Sequence, residues 1–266
     1  IIVLRTLSFD LKYIILFILF PVWVWSQQIS LVETTPLDAD TFIGIDSYND
    51  LYYIKDQVFY KKNNTNIVNF KDFQLGEIYS VDIINPMTIA VYYQDFNTVV
   101  LLDNKLSEIE RINFNNLSEF INSSQAMIAA NNSLWFINMD SQQLELYNYR
   151  LKSKILVSQP INGEVLSVAS NFNYCYVLTD SKIRAYNIYG SLLSEINNEG
   201  FQEIVQLNGN LIALKDNDLY YIDKEMQEIT KIKSPEISIK DLQLTQDFLY
   251  IYDKNKIRTF KLTLPK

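Results

Sequence analysis

Met87-Thr88-Ile89-Ala90-Val91-Tyr92-Tyr93 is followed by Gln94-Asp95-Phe96-Asn97 and then by Thr98-Val99-Val100-Leu101-Leu102. Two short runs rich in β-branched and aromatic side chains flank a polar turn, which is the pattern of a β-hairpin. Working outward, Ile78–Ile84 reads as a strand before this pair. Ser107–Phe114 reads as a strand after it, beyond a turn at Asp103-Asn104-Lys105. The unit is therefore four short strands joined by tight turns.

The same grammar recurs along the chain. One unit holds Thr41–Ile45, Leu51–Lys55, Val58–Tyr60 and Ile67–Phe70. Further on come Ala126–Ala130, Leu134–Met139, Leu144–Tyr149 and Ile155–Ser158, then Val165–Ala169, Tyr174–Thr179, Ile183–Ile188 and Leu192–Ile196. A fifth unit holds Gln202–Leu207, Leu211–Lys215, Leu219–Ile222 and Gln227–Ile232. In each unit an aspartate marks the turn between the second and third strands. These are Asp56, Asp95, Asp140, Asp180, Asp216 and, in a sixth unit, Asp253, with spacings of 39, 45, 40, 36 and 37 residues. A period of this length filled with strands predicts an all-β fold, a six-bladed β-propeller with four-stranded antiparallel blades.

The sixth unit supplies only Ile237–Leu244, Phe248–Tyr252 and Ile257–Leu262. Its missing outer strand has a donor in Ile29–Thr34, which precedes the first unit and belongs to none. Pairing Ile29–Thr34 with Ile257–Leu262 would close the ring and remove two open sheet edges. The pattern resembles six-bladed propellers of secreted and periplasmic proteins over residues 29–266. That resemblance rests on period and strand order. The Trp-Asp dipeptide, the paired glycines and the quinone-binding tryptophan motif of better-marked propellers are missing, so it brings no active site with it.

Residues 1–26 read differently. Arg5 and Lys12 precede the apolar run Tyr13–Trp25, and Val24 and Ser26 fit the −3 and −1 positions of a signal-peptidase site. A run of 13 residues is short of the ~20 needed to span a bilayer. The reading is a secretory signal peptide at 1–26, cleaved before Gln27, and one propeller domain at 27–266. An uncleaved signal anchor is the alternative, with Trp23 and Trp25 suited to a membrane interface. No sorting segment is read after Leu264-Pro265-Lys266, so retention at an envelope would fall to a partner.

Composition narrows the chemistry. The net charge is −8 and no Lys/Arg stripe exceeds pairs such as Lys61-Lys62, which argues against nucleic acid as a partner. The chain has no histidine, which removes Ser-His-Asp and Cys-His catalysis and His-containing zinc sites. Carboxylates alone would suit calcium or magnesium. No phosphate loop, dinucleotide fingerprint or calcium loop is present, and no cofactor is expected. Cys175, the single cysteine, lies in the strand pattern Tyr174–Thr179 and reads as a buried thiol. Asn-x-Ser/Thr triplets begin at Asn63, Asn116, Asn122 and Asn131, as chance allows in so Asn-rich a chain.

Three features are candidates for function. The six marker aspartates are read as turn caps, set too far apart around a rim to share one ion. Asp40, Glu77, Glu164, Glu203 and Asp241, with Gln125 in the third unit, stand at or near the starts of innermost strands. They could form an acidic funnel at one channel mouth, able to attract a cation or a basic peptide. Tyrosines recur at Tyr52-Tyr53, Tyr92-Tyr93, Tyr147 and Tyr149, Tyr220-Tyr221, and Tyr250 and Tyr252. They read as core between blades, with an aromatic contact surface as the alternative. The functional reading is an exported, non-enzymatic propeller acting as a protein-interaction subunit of an envelope, secretion or adhesion complex. The alternatives are a carbohydrate- or peptide-binding module and a carboxylate-dependent glycosidase or lyase, which would need two converging carboxylates.

Overall fold

The computed structural model describes residues 29–232 and 235–262. The signal segment at 1–26 lies outside the described residues. Blade 1 comprises β2 (Thr41–Ile45), β3 (Leu51–Lys55), β4 (Val58–Lys62) and β5 (Ile67–Phe70). Blade 2 holds β6 (Ser80–Asp82), β7 (Ile89–Tyr93), β8 (Thr98–Leu102) and β9 (Glu108–Asn113). Blade 3 holds β10 (Ser123–Ala129), β11 (Ser133–Asn138), β12 (Gln143–Asn148) and β13 (Ser153–Pro160). Blade 4 holds β14 (Val165–Ser170), β15 (Tyr174–Thr179), β16 (Lys182–Asn187) and β17 (Leu192–Asn197). Blade 5 holds β18 (Glu203–Leu207), β19 (Asn210–Lys215), β20 (Asp218–Ile222) and β21 (Ile229–Ile232). Blade 6 holds β22 (Asp241–Leu244), β23 (Phe248–Tyr252), β24 (Lys256–Leu262) and, from the other end of the chain, β1 (Ile29–Pro36).

The ring closes as the sequence predicts. β1 pairs antiparallel with β24 from Ile29 opposite Leu262 to Pro36 opposite Lys256, with a bulge between Leu31 and Glu33. Several strands are a residue or two shorter than expected, and two are about half the expected length. β6 covers only Ser80–Asp82 of the predicted Ile78–Ile84, because Asp82 bends its own turn by accepting the Ile84 N–H at 2.9 Å. β22 begins at Asp241 rather than Ile237, since Ile237 and Ile239 are used in the link from blade 5, where Asn217 holds the Ile239 N–H at 2.7 Å.

Apolar residues collect at six seams, one between each pair of neighbouring blades. Tyr52, Phe59, Val91 and Tyr93 fill the seam of blades 1 and 2. Tyr92, Leu101, Phe114 and Phe136 fill that of blades 2 and 3. Trp135, Leu146 and Cys175 fill the next. Tyr176, Ile183, Phe201 and Leu211 follow, and Ile212, Leu249 and Phe260 follow those. Phe42, Tyr250 and Tyr252 lie where blade 6 meets blade 1. A middle strand thus has a neighbouring blade on each face, so its residues are apolar in unbroken runs; β7 and β8 are buried at every position. Outer strands such as β1 are mostly exposed. Most of the paired tyrosines are core: Tyr52, Tyr92, Tyr93, Tyr147, Tyr149, Tyr221, Tyr250 and Tyr252 are buried, while Tyr53 and Tyr220 are half-buried. Cys175 is buried as well, and burial pushes its thiol far up.

The marker aspartates all fall in hairpins between second and third strands. Asp56-Gln57 and Asp216-Asn217 adopt left-handed φ of 51°, 60°, 49° and 71°, the geometry that suits two-residue hairpins. Side-chain capping at these hairpins is seen at Asp253, whose Oδ1 accepts the N–H groups of Asn255 and Lys256. The consistent caps stand one hairpin further on, between third and fourth strands. Asn63, Asp103, Asn148, Asn187 and Asp223 each accept backbone N–H groups there. Alternating strand directions place these turns at one end of the ring. The marker hairpins and blade-to-blade links lie at the other, the hairpin end.

Candidate functional site

Six inner strands, β2, β6, β10, β14, β18 and β22, line the central channel. Each is bonded within its own blade on one side and turns its other edge toward the axis. Its free N–H and C=O groups there need partners or water. Side chains of the even blades supply partners at alternate seams. Asp82 Oδ2 accepts the Ile128 N–H at 2.7 Å, linking blade 2 to blade 3. Ser167 Oγ accepts the Ile204 N–H at 3.2 Å, linking blade 4 to blade 5, and Gln206 Nε2 returns a bond to the Ser170 carbonyl at 2.8 Å. Asp241 Oδ2 accepts the Phe42 N–H at 2.8 Å, linking blade 6 to blade 1. Gln243 there accepts from the Ile45 N–H at 2.8 Å and donates to its carbonyl at 3.0 Å. Among the described residues, no inner-strand side chain bridges to the next inner strand at the other three seams.

A cavity of about 680 Å³ occupies the channel. Its walls are Ile43, Val81, Val168, Val205, Leu242 and Leu244, with Asp46, Asp82, Glu203 and Asp247 as acidic groups. A second space of about 210 Å³ adjoins it beside Gln125 and Met127. Gly44 is required at the blade 6–1 seam, because a Cβ there would stand 2.6 Å from Gln243 Nε2.

The structure brings two of the five acidic candidates together. Glu203 and Asp241 head the adjacent inner strands β18 and β22 and are half-buried. Burial, with the Asp241 charge nearby, pushes the Glu203 carboxyl up to about 7. Asp241 is also raised by burial, against the lowering pull of the Phe42 N–H. Asp40, Glu77 and Glu164 are exposed at the hairpin end. Asp40 Oδ2 accepts the Asp56 N–H at 2.6 Å and Glu77 accepts from Gln57 at 2.9 Å. Gln125 lines the smaller space.

Sequence reading missed Asp82. Its carboxyl is raised by burial while both oxygens accept backbone N–H groups, from Ile84 and Ile128. The signal was a lone charge inside Val81-Asp82-Ile83, where a strand facing the channel holds its neighbour. Among the described residues no group of three or more His, Cys, Asp or Glu side chains could hold a metal ion. No helix among them is long and apolar enough to cross a membrane.

This chain is a β-propeller of six four-stranded blades. No protein-family model and no curated protein sequence matches it. Solved structures do resemble it in fold. The Pan2 WD40 domain of Neurospora crassa matches with a TM-score of 0.60 at 7% identity, over 86% of this chain and 76% of that one. A streptogramin B lyase matches at 0.58 and 10% identity, over 89% and 97%. PorZ, described as an essential bacterial surface component of the type-IX secretion system of Porphyromonas gingivalis, matches at 0.54 and 14% identity. That match covers 85% of this chain and 32% of PorZ. Identities this low speak for the fold alone.

Proposed function

We propose that this protein is an exported, non-enzymatic propeller that serves as a protein-interaction subunit of a cell-envelope complex. The observation that carries this reading is how the channel spends its polar side chains. Asp82, Ser167, Asp241 and Gln243 bond to the backbone of the next blade, so they hold the ring together. Glycoside cleavage by paired carboxylates needs one of them free to protonate a leaving group and the other to attack or activate water. Asp46, Asp82 and Asp241 are engaged with N–H groups. Of the other two acids of the cavity, Glu203 heads β18 at the hairpin end and Asp247 lies in the β22–β23 turn at the opposite end, so they do not face each other across one bond. The streptogramin lyase shares the fold, and its activity is its own.

A closed ring presents two broad, rigid ends, and rigidity lowers the entropy lost on docking. PorZ, a secretion-system surface component with this fold, is consistent with an envelope role. The export signal at residues 1–26 belongs to the same proposal, and N-terminal sequencing of the native protein should begin at Gln27. Purification from the native membrane fraction in mild detergent, followed by cross-linking, tests the central claim. A stoichiometric protein partner is expected. Recovery as a lone monomer under all gentle conditions would count decisively against it.

A further inference from the structure

Both ends of the ring leave large apolar side chains in solvent; those at the end opposite the hairpin end, Tyr48, Met87, Leu151 and Tyr189, stand on four different blades. At the hairpin end a row of large apolar side chains stands in solvent: Phe73 is 84% exposed, Phe96 46%, Phe120 56% and Met139 51%. They sit on a common, rigid base. Asn97 Nδ2 donates to Asn115 Oδ1 at 3.1 Å and to the Ile121 carbonyl, while Asn115 Nδ2 donates to the Phe96 carbonyl at 3.1 Å. On the far side of that loop the Met139 N–H donates to the Asn122 carbonyl at 2.8 Å, and Asn122 Nδ2 donates to Asp140 Oδ1 at 2.8 Å. The loop bearing Phe120 is therefore tied to both the Phe96 hairpin and the Met139 hairpin. The loops that carry the three side chains are thus bonded to one another and make a strip across blades 2 and 3. Gly76 extends it toward Phe73, with the Phe96 ring 3.8 Å from where its Cβ would be.

Acids share these loops. Glu77, Asp95, Glu119 and Asp140 are all exposed there. Among the described residues Glu77, Asp95 and Asp140 form no ion pair. The nearby cations are already engaged. Lys71 lies 4.6 Å from the Phe73 ring centroid and bonds the Asp56 carbonyl, and Arg111 pairs with Asp72 and Glu108 at 2.7 Å. Lys154 pairs with buried Glu145 at 2.8 Å as well as with Glu119 at 3.6 Å.

We propose that this strip on the hairpin end of blades 2 and 3 is the docking surface, and that its occupant is a basic, amphipathic segment of a partner protein. This rests on the scaffold reading above and gives it a face and a partner chemistry. Bulky apolar side chains of the segment would cover Phe96, Phe120 and Met139, and its Lys or Arg residues would meet the acidic rim. A second copy of this chain fits less well, because it would bring the same acids face to face in a protein already at −8.

The test uses three fluorescein-labelled peptides: a leucine–lysine amphipathic helix, its leucine–glutamate counterpart, and a lysine–serine peptide of the same positive charge. Anisotropy measures binding, and hydrogen exchange maps the footprint. The leucine–lysine peptide should bind best, protect residues 94–97, 118–122 and 139–141, and weaken as salt rises. Phe96→Ser with Phe120→Ser should weaken it about tenfold or more. Asp95→Lys with Glu119→Lys should do the same without touching the strip, and Leu151→Ser with Tyr189→Ser at the other end should leave it unchanged. Thermal melts check that each variant folds.

Equal binding of the glutamate peptide, or indifference to both hairpin-end variants, overturns the proposal. No binding by any peptide overturns it too. A footprint at the other end overturns the choice of face while leaving the scaffold reading intact. A dimer by light scattering that Phe96→Ser with Phe120→Ser dissolves assigns the strip to a second copy and overturns the partner chemistry. Failure of the scaffold reading itself shows separately, as absence of a native partner in the membrane fraction.

Discussion

The seam between blades 2 and 3 and the seam between blades 6 and 1 do the same job with different proportions of apolar burial and directed bonding. The first buries thirteen apolar residues, among them Tyr92, Phe114, Phe136 and Tyr147. The second buries five, Leu37, Phe42, Tyr250, Tyr252 and Ile257. Strand burial shows the same contrast. Every residue of β7, β8 and β11 is buried, whereas β2 and β3 alternate between buried and half-buried. Blade 1 is covered well on its blade 2 side and thinly on the other.

Both seams carry directed bonds, the first from the Ile128 N–H to Asp82 and from the Tyr92 hydroxyl to the Ser123 carbonyl, but at the closing seam they stand with far less apolar burial behind them. Asp241 and Gln243 hold the Phe42 and Ile45 backbone, and the Tyr252 hydroxyl donates to the Ala39 carbonyl at 2.7 Å. The difference teaches where order comes from. Apolar burial is non-directional and tolerates small slips, but the blade that joins the two ends of the ring has to meet its neighbour in one register. Hydrogen bonds to fixed backbone atoms specify that register.

Breaking the apolar seam should do the most damage. Phe136→Ala removes a fully buried ring packed 5.6 Å from Phe114, centroid to centroid, and should cost about 3–5 kcal/mol. Phe42→Ala should cost less, since its ring meets Tyr250 and Tyr252 at 6.4 and 6.2 Å and has fewer buried neighbours. Urea unfolding of both variants checks the order, and a larger loss for Phe42→Ala would reverse the account of the two seams.

Breaking the directed bonds should come next. Gln243→Ala leaves the Ile45 N–H and C=O without their side-chain partner and should cost about 1–3 kcal/mol. Gly44→Ala should act by the same route, pushing the Gln243 amide aside. If the two act through one interaction, the double variant will lose clearly less than the summed single losses, as a double-mutant cycle would show.

The ring was legible in the sequence because each blade repeats one constraint. Middle strands are covered on both faces, so Ile89–Tyr93 and Val99–Leu102 had to be apolar throughout, and the turns between them had to be polar. Closure was legible because β24 needed a partner and Ile29–Thr34 had no blade of its own. The channel was harder to read. Its polar residues are chosen for contacts across a seam, between positions such as Asp241 and Phe42 that lie 199 residues apart. No local pattern marks them: in sequence Asp82 looks like any charge at a strand end, and Asp40, Glu77 and Glu164 look like Glu203 and Asp241. The exposed Phe96 and Phe120 were hidden for a related reason. In a chain this rich in aromatics, only the fold tells a buried ring from a presented one.

The smallest expected effect concerns the unstitched seam of blades 5 and 6, where Glu203 faces the Asp241 charge. The Glu203 carboxyl titrates near 7 in the folded chain and near 4.5 when unfolded, so the native state holds this proton more tightly. Its contribution is therefore intact below about pH 4.5 and is lost as pH rises toward and through 7. Solvent reaches the half-buried carboxyl from the channel, so the loss should be on the order of 1–2 kcal/mol rather than the full shift. Glu203→Gln removes the charge and keeps the shape. Compared with wild type, the variant should melt higher at pH 8, and the gap should close as pH falls toward 5. Taking the difference between the two proteins cancels the other carboxylates, including Asp72 and Asp223, whose lowered values favour the fold at higher pH. A gap that stays constant with pH would mean that Glu203 is solvated and that the blade 5–6 seam carries no repulsion. The alternation of stitched and unstitched seams would then be a matter of bonds made rather than of charge opposed.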